Sequence, residues 1–432
     1  MSKRLSITAT GDALFVAKFP KYYDEQKKQI KDFILSHQVR LTNLETNLSD
    51  FGEYASAYSG GTWISTPKEY FGDLKELGFN FYGTANNHCM DYSYHGLLST
   101  IDYLDSQNLA HAGTGRDLFD AQKPAILNID GKKVAIFAVD TSFNCASKAG
   151  LPTANFKGRP GVNYLRYSTT YTITAEQEKS LREIAKTTRL NFSRDFNIKT
   201  GYVLQDPQGI LSFGGITFTT KQGQPTTKCN KKDKERILNL IRQAKQQNDY
   251  VFIQVHCHAN DNVSHANPPE FLVEFCKECI DNGVSAVFGG GCHQLRRVEM
   301  YKGKPIFYSL GDFIYQGPQV EKLPADFMEQ YGVDVNATAK EALNARSKNG
   351  KIGLHLNKEN YLSVLPRLEF DEDNLVEIKL LPIGLNFDKK DLLNGLPMIA
   401  QEQEQLEILT VLNNLCVNNQ KLKLQDGYLV FE

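Results

Sequence analysis

"TANNHCMD", residues 84–91, follows directly on the apolar run Phe79, Phe81 and Tyr82. An apolar run of that kind reads as a strand. It leaves its pattern on Asn86, Asn87 and His88, three groups that hydrogen-bond or bind metal. Whether this is a local turn or part of a shared site depends on how the other strands end.

They end in the same way. "RLSITATGD" (4–12) alternates apolar and polar residues and stops at Gly11 and Asp12, and "VRLTNLETNL" (39–48) runs into Asn43 and Glu45. "YVFIQVHCHAND" (250–261) leaves its apolar run at His256 and His258, and "VSAVFGGGCH" (284–293) ends in three glycines and His293. Between the strands, "YYDEQKKQIKDFILSH", "KEYFGDLKELG", "YHGLLSTIDYLDSQN", "DKERILNLIRQAKQQN" and "PPEFLVEFCKECIDNG" read as helices. Alternating strands and helices predict an α/β domain with a parallel or mixed sheet. In such folds ligands bind beyond the carboxyl ends of the strands. Asp12, Glu45, Asn87, His88, His256, His258 and His293 are therefore expected along one rim.

Further along, "VEMYKGKPIFYSLGDF" predicts a hairpin turning at Lys302 and Gly303. Residues from about 145 to 230 are rich in Thr, Lys, Gly and Asn and break the rhythm, as an insertion would, with a helix at "AEQEKSLREIAK". Beyond about 350, "IGLHLN", "YLSVLPRLEF" and "LVEIKLLPI" read as strands and "LPMIAQEQEQLEILTVLNNLC" as a closing helix. With no low-complexity linker and no repeat, 1–432 is expected to be one composite domain, its core at about 3–320.

Composition excludes some functions. The 432 residues carry 49 Lys and Arg against 50 Asp and Glu, so no basic surplus draws a polyanion and nucleic acid is an unlikely partner. The N-terminal stretch fails as a secretory core, and no apolar run reaches the roughly 18–20 residues of a membrane span. A soluble, cytoplasmic protein is the simplest expectation. Eight cysteines without a framework spacing suit reduced thiols. Cys276 and Cys279 lie within a predicted helix, where packing is the simpler role.

Mixed oxygen and nitrogen donors suit one or two divalent ions such as zinc, manganese or iron. His88, beside the candidate ligand Asn87, would act as general acid or as a contact to a substrate oxyanion. Asp91 could hold the other imidazole nitrogen and fix its tautomer. Plainer alternatives exist: Asp12 as a turn or cap, Asn86 and Asn87 as turn residues, and His258 and His265 as solvated or packed. His37, His95, His111 and His355 stand outside any motif.

"GDALF", "NLETNL", "TANNHCMDYSYHGLLSTIDYLDSQNLAHAGTG" and "VEMYKGKPIFYSLGDF" resemble the CapA or PgsA family of poly-gamma-glutamate capsule biosynthesis proteins, itself similar to calcineurin-like metallophosphoesterases. The resemblance implies a four-layer α-β-β-α sandwich with a divalent-metal centre at one edge. It makes Asp12 the first metal ligand, Glu45 the bridging acid, Asn87, His256 and His293 further ligands, and His88 the catalytic-type histidine. Two departures stand out. Gly290 and Gly291 replace histidines of the usual Gly-His-His-Pro-His, and "HCHAN" replaces His-Trp-Gly-x-Glu, so that His258, or in second place Cys292, is expected to supply a missing ligand. Asp312 stands where asparagine is common.

Two functions compete on these grounds. One is a metal-dependent hydrolase acting on a phosphoester or related acyl or amide bond of an anionic small molecule or polymer. The other is a non-hydrolytic accessory protein in poly-gamma-glutamate synthesis or export. Substrate choice is expected from the insertion at 145–230 and from loops over the rim.

Overall fold

The computed structural model describes residues 4–223 and 226–432. It is a mixed α/β structure with several sheets and, among the described residues, eleven α-helices.

The larger sheet has ten strands. At its centre the strand Arg4–Leu14 pairs in parallel with Val39–Leu44, which pairs in parallel with Phe81–Gly83. On its other side Arg4–Leu14 runs antiparallel to Leu362–Asp371, followed by Asn374–Gly384. A short strand, Asp312–Tyr315, joins the end of Arg4–Leu14 in parallel, with Asp12 opposite Asp312. The smaller sheet has six strands, and in it Lys132–Asp140, Tyr250–His256 and Ala286–Gly290 are parallel.

Alternation along these strands separates three apolar clusters. Ile7, Leu41 and Phe81 of the larger sheet share a buried cluster with Val134, Phe252 and Phe288 of the smaller one. The intervening residues Ala135, Val251, Ile253 and Val287 face the other way, onto Ile237 and Ile241 of the helix Lys231–Gln247 and Phe271 and Phe275 of Glu270–Asp281. Because side chains of successive strand residues point to opposite faces, one strand serves both clusters. Ile30 and Ile34 of the helix Asp24–Leu35, with Leu74 of Phe71–Glu76, belong to the third cluster, which takes in Leu14, Leu44 and Tyr82 of the larger sheet.

The expected hairpin is present as Val298–Tyr301 and Lys304–Phe307, with Lys302 and Gly303 both at positive φ, as a tight two-residue turn requires. The insertion forms a four-stranded sheet of its own, with the expected helix at Ala175–Thr188. "IGLHLN" is not a strand: Leu354–Leu356 form a 3-10 turn after Gly353 at φ 136°, with Leu354 and Leu356 about half exposed. The closing helix starts only at Glu402, because Met398–Ile399 first pair with the end of Asn374–Gly384. Cys276 and Cys279 are buried in the helix Glu270–Asp281, and all eight cysteines are free thiols. No helix among the described residues is long and apolar enough to cross a membrane.

Candidate metal centre

The two Gly-Asp pairs at 11–12 and 311–312 lie side by side. A Cβ on Gly11 would fall 1.7 Å from the Gly311 carbonyl oxygen, so only glycine allows this approach. The consequence is that two carboxylates project from adjacent parallel strands. Asn43, in register with Asp12 on the next strand, donates its Nδ2 to Asp12 Oδ1 at 2.6 Å. Glu45 lies just past that strand, its backbone N–H on the Ala13 carbonyl at 3.2 Å.

The segment 84–91 leaves the sheet after Gly83 and coils back on itself. Asn86 ties it down, donating Nδ2 to the Leu44 carbonyl at 2.8 Å and accepting the His88 N–H at 3.2 Å. Asn87 Oδ1 lies 2.8 Å from His256 Nε2, while its Nδ2 donates to the Gly60 carbonyl at 2.8 Å. His88 Nδ1 lies 2.6 Å from Asp91 Oδ2. Asp91 also accepts the backbone N–H groups of Gly60 at 2.9 Å and Ile64 at 2.8 Å, so it fixes both the ring and the 60–64 loop.

His256 ends its strand with Asp140 on one flank and Gly290 on the other. Its ring lies between two acids, Nδ1 3.5 Å from Asp12 Oδ1 and Nε2 3.5 Å from Glu45 Oε1. His258 Nε2 is 3.2 Å from His256 Nε2, on the same side, as positions i and i+2 of an extended chain allow. His293 reaches Asp312 Oδ1 at 3.0 Å from a left-handed backbone at φ 58°, a conformation uncommon outside glycine and typical of constrained sites. The donors fall into two groups, Glu45 with His256 and His258, and Asp12 with His293 and Asp312, each with its ligand atoms within 4.8 Å of one another.

The charges here are out of the ordinary. Asp12, Glu45, Asp91, Asp140 and Asp312 are all 0% exposed. Among the described residues neither Glu45 oxygen has a hydrogen-bond partner, nor does Asp140 Oδ2. Burial, reinforced by the neighbouring Asp12, Asp312 and Asp140 carboxylates, raises Glu45 well above the usual carboxylate range. Burial likewise pushes Asp140 and Asp312 up to about 6. Asp12 moves the other way: burial opposes its ionisation, but His256 and His293 beside it lower its pKa. His293 is raised, against the effect of burial, by Asp312 and Asp12. His258 is held well below its ordinary value by burial and by the neighbouring His256 and His293, which leaves its ring neutral, the form that ligates metal. A buried carboxylate oxygen with no hydrogen bond costs far more than a hydrogen-bonded one. Such a donor set fits a divalent cation.

All eight residues singled out from the sequence, Asp12, Glu45, Asn87, His88, Asp91, His256, His258 and His293, therefore meet at one place. The sequence marks Asn43 as a strand end without giving it a role, and Asp140 is not among the residues singled out from it. Asp140 ends "KKVAIFAVD" as Asp12 ends its own strand, a signal present in the sequence.

A cleft of about 920 Å³ opens over His88, His258 and His293. Its far wall comes from residues 317–321 and 338–355, and no described residue of the 145–230 insertion lines it. Of the two expected sources of substrate choice, loops over the rim line this cleft and the described residues of the insertion do not. His355, outside any motif, lines it as well. Arg296 is 0% exposed and donates to the carbonyls of Cys257, Ala259 and His265, clamping the loop that carries His258.

Comparison with known proteins finds relatives along most of the chain. The uncharacterized protein y4sH of Sinorhizobium fredii is 31% identical over 422 residues, 95% of this chain and 89% of its own length. The probable polyglutamine synthesis accessory protein Rv0574c of Mycobacterium tuberculosis is 24% identical over 65% of this chain and 56% of its own. The PGA biosynthesis protein CapA of Bacillus subtilis is 24% identical over 58% of this chain and 47% of its own. Residues 6–317 match the family of the bacterial capsule synthesis protein PGA_cap, and the chain belongs to that family.

Proposed function

We propose that the chain is a metal-dependent hydrolase of a phosphoester or related acyl or amide bond. In this reading the two sheets and their flanking helices form the four-layer α-β-β-α sandwich of the metallophosphoesterase type. One observation carries it: Glu45 is wholly buried, both its oxygens lack hydrogen-bond partners among the described residues, and His256 and His258 stand beside it.

Glu45, His256 and His258 would hold one ion, and Asp12, His293 and Asp312 a second, with Asn87 beside His256. When bound, zinc, manganese or iron supplies Lewis-acid polarisation of a phosphoryl or carbonyl oxygen. The protein's own residues do the rest. Asp91 holds the proton on His88 Nδ1, so Nε2 is the nitrogen that exchanges a proton with the leaving group. The Gly60–Ile64 loop, hung from Asp91 and Asn87, walls the cleft beside that nitrogen.

The names of the relatives support a second reading, an accessory protein in poly-gamma-glutamate synthesis. Elemental mass spectrometry of the wild type beside Asp12→Ala and His258→Ala, one substitution in each donor group, tests the first. Divalent metal that falls in both variants, with turnover in a screen of phosphoesters and amides, supports the hydrolase. Metal without turnover, together with binding of poly-gamma-glutamate, favours the accessory role, and a wild type that takes up no divalent metal removes the hydrolase reading.

A further inference from the structure

The cleft over the histidines is larger than a single phosphoryl or acyl group requires, since volumes of about 300–1,000 Å³ hold whole small molecules. Its three zones differ in chemistry. The floor is His88, His258 and His293. The flanks are apolar, from Leu14, Ile64, Val320, Leu343, Ile352 and Leu354, and Ile352 and Leu354 are 47% and 53% exposed. Lys340, Arg346 and His355 also line it, against one acid, Glu321.

Arg346 is well placed rather than free to wander. It donates Nη1 to Thr62 Oγ1, tying the 60–64 loop to the opposite wall, and its guanidinium lies 5.5 Å from the centre of the Phe327 ring. A guanidinium has five N–H donors, so this bond leaves capacity for a ligand. Lys340 sits near the start of the same helix, Ala339–Arg346, next to the Thr338 cap that also lines the cleft. Both cations thus come from one helix and line the same cleft as the histidines.

We propose that the cleft takes an amphiphilic anion with two acidic ends: the scissile group at the histidines, an apolar spacer along the flanks, and a second acidic group at Lys340 and Arg346. The inference rests on the hydrolase reading, because the first end is the group presented to the metal centre. It assigns substrate selection to residues 338–346, not to the insertion.

The test uses the manganese-loaded chain and calorimetric titration of two probe series, alkylphosphonates and ω-carboxyalkylphosphonates with spacers of increasing length. The expected result is that the added carboxylate tightens binding about three- to tenfold at one spacer length, the scale of one or two partly exposed ion pairs. Lys340→Ala should bring that ratio toward one, and Arg346→Gln should do the same. A ratio of one at every length in the wild type overturns the proposal, as does a ratio that survives both substitutions, or failure of the manganese-loaded chain to bind any phosphonate. Failure of the hydrolase reading registers separately, as absence of manganese from the protein by elemental analysis.

Discussion

A Cβ on Gly290 would lie 2.3 Å from Asp12 Oδ1, well inside any allowed contact. The Gly-His-His-Pro-His pattern that this stretch resembles would place a histidine there. In this chain the space is taken by the Asp12 carboxylate, which Asn43 Nδ2 and the Gly291 N–H both hold. Gly290 is thus a condition for Asp12 to sit where it does, and Gly290→His should not restore a missing ligand. Both Gly290→Ala and Gly290→His are expected to lose metal by elemental analysis and to lower stability by about 1–3 kcal/mol in urea unfolding, the usual cost of overpacking. A gain of metal in Gly290→His would contradict this.

Asp91 has more to satisfy than an asparagine could. It receives Gly60 N–H on Oδ1, and Ile64 N–H and His88 Nδ1 on Oδ2. A carboxamide in its place has a single acceptor oxygen and turns an amide N–H toward one of those donors. Asp91→Asn should lower kcat about 10–100-fold, the usual effect of removing a residue that orients a functional histidine, with a smaller change in KM. Steady-state kinetics on any phosphoester turned over, with the ¹⁵N shifts of His88 to report its tautomer, checks both halves.

Much of this site was visible in the sequence because strand periodicity marks where each apolar run stops. Asp12, Asn87, His256 and His293 sit at such ends, and an α/β fold brings them together whatever their separation in the chain. What the sequence hid depends on contacts between distant segments. Asp140 ends a strand as plainly as Asp12, but only the register of Tyr250–His256 beside it shows that it faces His256. Arg296 looks like a surface charge until the loop 257–265 folds over it. "IGLHLN" has the alternation of a strand, and no described strand pairs with it, so it forms part of the cleft wall instead. Alternation predicts which face is buried and says nothing about whether a partner exists.

Arg296 offers a test of that hidden layer. Its guanidinium meets three backbone carbonyls, at 3.3 Å for Cys257, 2.7 Å for Ala259 and 3.0 Å for His265. Arg296→Met would fill part of the volume and remove the arginine's N–H donors from those acceptors. The expected loss is about 2–4 kcal/mol in urea unfolding, together with weaker metal retention because His258 rides on the loop. Arg159→Ala, at an exposed arginine, should fall within about 0.5 kcal/mol of the wild type in the same assay.

His37 provides a pH signature outside the candidate metal centre. It is 2% exposed, with Nδ1 2.9 Å from the Phe33 carbonyl and Nε2 without a partner among the described residues. Burial pushes its pKa down to about 4. The unfolded chain therefore takes up a proton near pH 6.5 that the folded chain refuses until about pH 4. More protons on the unfolded side means that stability rises with pH across this window and is lost as the pH falls through it, by about 3 kcal/mol at the acid end. The metal-free chain should carry this contribution in its urea midpoints between about pH 7 and 4.5, beside that of Asp140 and Asp312, which titrate in the same window, so it is read as the difference between the wild type and a His37 variant. His37→Leu should remove it, and an equally steep slope in that variant would assign the acid sensitivity to other groups.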